Sequence, residues 1–322
     1  MFSMPPKPLI TVTGASSKQG RSVATALLTS GRYRVRALSR RADSAPIRQL
    51  SEHGAEIVEV PLELGHQAEL TAALRGSYGA FLMTPPTAPV PPPGRPELAL
   101  GHEMADAAHT AGVQHVVWSG LENVEAHTGG GLWVPHFTEK ALVEEHIRTL
   151  PMLSSFIYLA FFYSNFLEYY VPRRGSDGSL TFAIYLPPDI PVPFVDPLTA
   201  AGPAVLEIFD HPEQYAGRSL PVIGEVLTAR QMVDTFVRVS GQNAHYASAY
   251  TREELLQHFP AFDKDVYLVR ELVDMVKYAV EYGYYAPGRD VEWSRKIDPN
   301  ALTWEQFLQR NKWQGELRSY GA

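Results

Sequence analysis

A chain of 322 residues, 45% hydrophobic and 20% charged, has enough apolar side chains for a sizeable core, in one large α/β domain or, as expected here, a domain with a smaller second lobe. Its formal charge of -7 argues against a general affinity for phosphate backbones and leaves room only for a local basic patch. The absence of cysteine excludes disulfides, cysteine metal sites and thiol nucleophiles, and is compatible with the cytoplasmic location expected for this chain.

Met1 to Lys7 carries two prolines and no charged-then-apolar pattern, so a secretory signal is not expected. Leu9, Ile10 and Val12 predict a short strand, ended by Gly14 and a turn of small residues, and from Arg21 the apolar positions recur at helical spacing. In a strand, loop and helix of this order, the first helical N–H groups point out of the turn with the positive end of the helix dipole behind them. That is the physical basis of a diphosphate site. Gly14 and Gly20 stand where a dinucleotide fold needs glycine, for the turn and for close packing of helix on strand, while the middle glycine is replaced at Ser16 and Ser17. The loop alone therefore fits a dinucleotide site and an ordinary strand-turn-helix equally well.

Gly31 marks a helix end, and Tyr33 to Ser39 reads as a second strand. Arg40 and Arg41 follow it, about twenty residues after the loop, where the dinucleotide fingerprint places its ribose reader. A carboxylate there selects NAD; an arginine fork pairs with a 2′-phosphate and argues for NADP. The competing reading is a pair of solvated surface arginines. Helices at Ala45 to His53 and Ala68 to Arg75 alternate with strands at Glu56 to Val60 and Gly79 to Met83, which implies a parallel sheet. Thr84 then opens a proline-rich loop, Thr87 to Pro96, which either lines a pocket at the carboxyl end of the sheet or is a rigid surface loop.

A helix over Glu97 to Thr110, a buried strand over Gln114 to Ser119, a flexible link at Thr128 to Gly131 and a helix from near His136 to Arg148 follow. Met152 to Leu159 is the sixth expected strand; the apolar stretch Met152 to Tyr170 is interrupted by Ser154, Ser155, Ser164, Asn165 and Glu168 and makes a poor membrane span. The fold expected is a Rossmann-type doubly wound parallel sheet over residues 1–160, intertwined with a smaller α+β lobe over 161–322 that binds substrate or partner. Phe161, Phe162, Tyr163 and Phe166 sit at the lobe boundary, where they line an apolar substrate pocket or glue the lobes together. In the second lobe, Asp177-Gly178 reads as a hairpin turn and Pro187 to Pro193 as unfit for a central strand. Helices are expected over Asp196 to Phe209, Ala229 to Val239, Arg252 to His258, Val266 to Tyr282 and Thr303 to Asn311, and the tyrosines between Tyr278 and Tyr285 read as packing. No metalloprotease spacing, serine nucleophile elbow or basic-aromatic stripe occurs, so neither a metal nor direct nucleic-acid binding is expected.

The loop Val12 to Gly20, the strand ending at Arg40, the segment Val117-Trp-Ser-Gly-Leu-Glu-Asn123 and the helix start Pro135-His-Phe-Thr-Glu-Lys140 together resemble the NmrA-like family of atypical short-chain dehydrogenases, in particular its redox-sensor branch. The likeness continues through Val192 to Asp196, Pro212 to Gly217 and Asn300 to Trp304. It implies NADP(H) as cofactor, with Gly14, Ser16, Ser17, Lys18, Gln19 and Gly20 around the pyrophosphate, Arg40 and possible help from Arg41 at the 2′-phosphate, Thr84 near the nucleotide ribose, and Lys140 beside the nicotinamide ribose. Short-chain dehydrogenases commonly place tyrosine four residues before that lysine; here the position is His136, whose imidazole can also donate a proton. His136 can instead bond local backbone, and Lys140 can pair with Glu144 at i+4. Ser119 offers a further polar contact. Two functions follow: an NADPH-dependent reductase of a carbonyl or imine in an apolar or aromatic small molecule, or a non-catalytic NADP(H) redox sensor that regulates a protein partner. Neither involves a membrane.

Overall fold

The computed structural model describes residues 6–321, so Met1 to Pro5 of the segment read above for a secretory signal lies outside the described residues. In the first half, strand and helix alternate as β1 (Leu9–Val12), α1 (Lys18–Ser30), β2 (Arg34–Ser39), α2 (Ala45–Glu52), β3 (Glu56–Glu59), α3 (Gln67–Leu74), β4 (Gly79–Leu82), α4 (Pro96–Thr110), β5 (His115–Gly120), the short α5 (Val124–His127), α6 (Pro135–Thr149) and β6 (Leu153–Leu159). β1, β4 and β5 are buried at every position, as strands covered on both faces must be. Helix α1 starts at Lys18 rather than Arg21, because the Ser17 hydroxyl accepts the Gly20 N–H and caps it; Gly31, at φ 65°, closes its other end.

The second half supplies β7 (Phe161–Phe162), α7 (Asn165–Glu168), β8 (Arg173–Arg174), β9 (Leu180–Ile184), β10 (Val192–Val195), α8 (Pro197–Asp210), α9 (Pro212–Tyr215), β11 (Ser219–Val222), β12 (Glu225–Leu227), α10 (Ala229–Ser240), β13 (Ala244–Ser248), α11 (Arg252–His258), a 3-10 turn (Pro260–Lys264), α12 (Val266–Glu281), α13 (Trp293–Ile297) and α14 (Trp304–Asn311). Threonine capping boxes start α10, α11 and α14, which explains why these helices read so directly from sequence.

Seven strands form one parallel sheet in the order β11-β6-β5-β4-β1-β2-β3. Strand order reverses between β1 and β4, and the glycine loop leaves the carboxyl end of β1 at that switch point, where open α/β sheets bind ligands. The sequence accounts for six of these strands. The seventh, β11, returns from the second half to the sheet edge, a position that tolerates Pro221. Two three-stranded sheets, β12-β10-β7 and β13-β9-β8, belong to the second half, with Asp177 and Gly178 in the expected turn between β8 and β9. One expectation is corrected: β10 takes Val192 and Pro193 from the run read as unfit for a central strand, yet is the middle strand of its sheet. Proline fits because β7 pairs only with Phe194 and Val195, so at Pro193 the strand has a neighbour on one side alone.

The two halves interlock. Helix α8 lies against α1, where the Gly202 N–H donates to Ser22 Oγ at 2.9 Å and a Cβ on Gly202 would stand 2.3 Å from the Ser22 carbonyl oxygen. At the end of β5 the buried Glu122 carboxylate receives both arms of Arg289, at 2.8 and 2.9 Å, and the Ala286 N–H. Among the described residues no helix is long and apolar enough to cross a membrane.

Candidate functional site

The loop from β1 to α1 has the conformation its glycines suggest. Gly14 sits at φ 59°, the left-handed region that favours glycine, and a Cβ on Gly20 would lie 2.2 Å from the Gly14 carbonyl oxygen, so only glycine lets helix and loop touch there. Ser17, where a third glycine was absent, has φ -76° and ψ 166°, which any residue adopts. Its hydroxyl is committed to the α1 cap and to Met83 Sδ at 3.4 Å. The N–H groups of Ser16, Lys18 and Gln19 have no acceptor among the described residues and stand at the positive end of α1. Gln19 Oε1 accepts the Ser119 hydroxyl at 2.8 Å, tying the loop to the end of β5, and Lys18 Nζ pairs with Glu168 of α7 at 2.7 Å. Arg40 and Arg41 are exposed just beyond β2, and among the described residues neither guanidinium has a carboxylate partner.

Thr84 and Lys140 meet at a residue the sequence did not single out. Both the Thr84 hydroxyl and the Lys140 ammonium donate to Oε1 of Glu97, in the first turn of α4, whose side chain is 2% exposed. The alternative pairing of Lys140 with Glu144 does not occur, because Glu144 is occupied by the Tyr158 hydroxyl, Arg148 and Ser219. Neighbouring Glu139 accepts the Leu98 N–H at 2.9 Å. Burial, with the charge of Glu97 added, pushes its carboxyl above the ordinary value.

His136 likewise bonds a distant helix rather than its own turn. Glu271 of α12, itself buried, accepts the His136 backbone N–H at 3.0 Å and lies 2.5 Å from Nδ1. Burial alone would raise the Glu271 carboxyl, but the hydrogen bond and charge of His136, its backbone N–H and the charge of Lys140 hold it below the ordinary range. The imidazole keeps 33% exposure, with Nε2 free of a carboxylate, and His136 and Lys140, four residues apart, share one face of α6.

Three of the four boundary aromatics are corrected from pocket to core. Phe161 packs on Tyr284 with ring centroids 4.7 Å apart, Tyr163 on Phe307 at 5.3 Å, and Phe166 on Tyr185 at 6.2 Å, all within one buried cluster. Strand alternation sends Phe162 to the opposite face of β7, where it stays partly exposed. Of the tyrosines expected to pack, Tyr278, Tyr284 and Tyr285 do so, their hydroxyls bonded to His127, the Leu159 carbonyl and the Tyr158 carbonyl, whereas Tyr282 stacks on Tyr278 but stays exposed. The proline-rich loop does line a cavity of about 310 Å³, walled by Pro92, Arg95, Trp133, Pro135, Glu139 and Arg270, which none of the expected site residues enters.

The sequence reading missed Glu97, Glu168 and Glu271. Glu97 carries only the signature of an acidic first helical turn, and nothing local marks the other two, since their partners lie 150 and 135 residues away.

Comparison with known proteins gives a consistent result. A family model described as the NmrA-like family matches residues 6–308. The NmrA-like family domain-containing oxidoreductase FrzB of Cladobotryum sp is 32% identical over 283 residues, covering 83% of this chain and 81% of its own length. Among solved structures, the negative transcriptional regulator NmrA in complex with NADP aligns with a TM-score of 0.73 at 23% identity over 94% of each chain. The Citrobacter sp. triphenylmethane reductase complexed with NADP(H) aligns with a TM-score of 0.71 at 16% identity, over 94% of this chain and 99% of its own.

Proposed function

Because this chain belongs to the NmrA-like family, we propose that it is an NADPH-dependent reductase acting on a carbonyl or imine of an apolar or aromatic small molecule. The observation that carries the reading is the His136–Glu271 pair one helical turn before Lys140: a buried carboxylate fixes Nδ1 of a partly exposed imidazole and leaves Nε2 without a carboxylate partner among the described residues, the arrangement a proton donor needs. Support for the cofactor comes from the loop after β1 and the arginines after β2. Free amides on Ser16, Lys18 and Gln19, with Gly14, Ser17 and Gly20 shaping the turn, would hold the diphosphate, and the unpaired Arg40 and Arg41 the 2′-phosphate. Thr84 would border the nucleotide ribose and Lys140 the nicotinamide ribose. Two of the similar solved structures contain NADP or NADP(H) by their own description. When bound, the cofactor supplies hydride.

The protein's own part is proton delivery and charge placement. His136 would hold a proton at Nε2 for the oxygen or nitrogen that gains charge, while Glu271 fixes the ring through Nδ1. Lys140 has two ammonium donors left after Glu97 takes one. Phe162 is the boundary aromatic left for an apolar substrate.

A second reading, a non-catalytic NADP(H) sensor for a regulatory protein, draws on the burial of Phe161, Tyr163 and Phe166, which removes most of the expected apolar pocket. Incubation with NADPH and a panel of cyclic imines and aromatic ketones separates the two. Turnover that Lys140→Met abolishes and His136→Phe reduces supports the reductase. No turnover, together with a protein partner bound in only one redox state of the cofactor, replaces it with the sensor.

A further inference from the structure

We propose that Glu97 is the positioning residue that aims Lys140 at the nicotinamide half of the dinucleotide, an inference that rests on the NADP(H) reading of the site. A lysine on the surface of α6 has four rotatable bonds and would sample many directions, and a ligand that fixes one must pay for that ordering. Its nearest carboxylate along the helix, Glu144, is already bonded to Tyr158, Arg148 and Ser219 and cannot hold it. Glu97 does so from another helix, and the Thr84 hydroxyl on the same oxygen fixes the carboxylate from the side of β4.

The anchor is itself rigid. Pro96 opens α4, and Glu139 of α6 accepts the Leu98 N–H in the same turn, so the two helix starts are bolted together around the pair. Glu97 is too buried to touch a ligand, whereas the lysine side chain keeps 17% exposure. The carboxylate therefore acts through Lys140: it takes one ammonium donor, holds the side chain in one direction and leaves two donors without a partner among the described residues.

The test compares two ligands by equilibrium titration: NADPH, and 2′,5′-ADP, which has the adenosine and 2′-phosphate but no nicotinamide ribose. Glu97→Gln keeps the shape and removes the charge, and should weaken NADPH about tenfold, the worth of one charged hydrogen bond, while 2′,5′-ADP stays within about twofold. Glu97→Asp, an acidic residue equally suited to a first helical turn, withdraws the carboxylate by one methylene and should give the same selective loss at smaller size; it carries the test if the glutamine variant does not fold. Unchanged NADPH affinity, or equal weakening of both ligands, overturns the proposal by leaving Glu97 a purely structural role. If the unsubstituted protein binds 2′,5′-ADP and NADPH alike in no measurable amount, it is the NADP(H) reading that fails, and this inference falls with it.

Discussion

Gly20→Ala puts a methyl group where helix α1 meets the glycine loop. The added carbon would lie 2.2 Å from the Gly14 oxygen, 2.6 Å from the Gly14 carbonyl carbon and 2.9 Å from Ala15 Cα, all backbone atoms, against an ordinary contact of 3.4 Å. Something must move by roughly 1 Å, since no side chain can swing aside. Helix α1 cannot simply retreat, because α8 already touches it at Gly202 on the far side. The strain should cost about 1–3 kcal/mol, as overpacked cores do, which for a chain of this size lowers Tm by roughly 2–5 °C. The shift also displaces the free amides of Ser16, Lys18 and Gln19, so NADPH affinity should fall by about tenfold or more. Gly14→Ala is the informative companion. Its methyl meets the flexible Met83 thioether at 3.1 Å, so its cost is mainly that of a left-handed alanine, roughly 1–2 kcal/mol. Thermal melts and NADPH titrations of both variants should rank Gly20→Ala as the more damaging. A Gly20→Ala protein that binds NADPH within about twofold of the parent would falsify the role given to the close approach.

Replacing Arg40 and Arg41 together by alanine should weaken NADPH by about 10–100-fold and leave NADH untouched, as loss of charge-assisted phosphate contacts requires; equal losses for both nucleotides would remove the 2′-phosphate from these residues. His136→Phe should lower kcat by about a hundredfold or more with little change in NADPH affinity, and an unaltered kcat strikes His136 as proton donor. Acid stability tests the buried His115, whose Nε2 lies 3.0 Å from Ser155 Oγ and whose burial pushes its pKa down from 6.5 to about 4. Between those values the unfolded chain binds a proton that the folded chain refuses, so stability falls as pH drops through the window, by about 2 kcal/mol from pH 7 to pH 5. His115→Leu should shrink the accompanying Tm drop by roughly 3 °C, and an identical acid slope in the variant contradicts the assignment.

Most of the first half was legible because its signals are local. Short apolar or β-branched runs between segments of helical spacing mark β1 to β6, and the glycine loop announced its own geometry through Gly14 and Gly20. What was not legible depends on distant partners. β11 has Pro221 and only four residues, and becomes a strand because β6 offers it an edge. Phe161 and Phe162 are identical in sequence terms, yet pairing of β7 with β10 sends one into the core and leaves the other partly exposed. The site shows the same division. Thr84, His136 and Lys140 could be named from position in a motif, but the carboxylates that orient them, Glu97 and Glu271, come from helices that no spacing rule connects to α6.

Those carboxylates also bear on whether the chain turns over a substrate or only senses its cofactor. Two buried acids bond this lysine and histidine, Glu97 at Lys140 and Glu271 at His136, and a third, Glu139, lies near Glu97 and accepts the Leu98 N–H. They are not held alike. Glu139 is pushed toward its neutral form by burial and by Glu97, whereas His136 pulls Glu271 toward its charged form in spite of burial. In a protein that only senses the nucleotide, the Glu271–His136 bond would serve to brace α12 against α6 and nothing more. Glu271→Gln isolates this point: it should lower turnover about as far as His136→Phe while leaving NADPH affinity unchanged. If Glu271→Gln alters only thermal stability, with turnover intact, the pair is an interhelical brace and the catalytic argument from it is withdrawn.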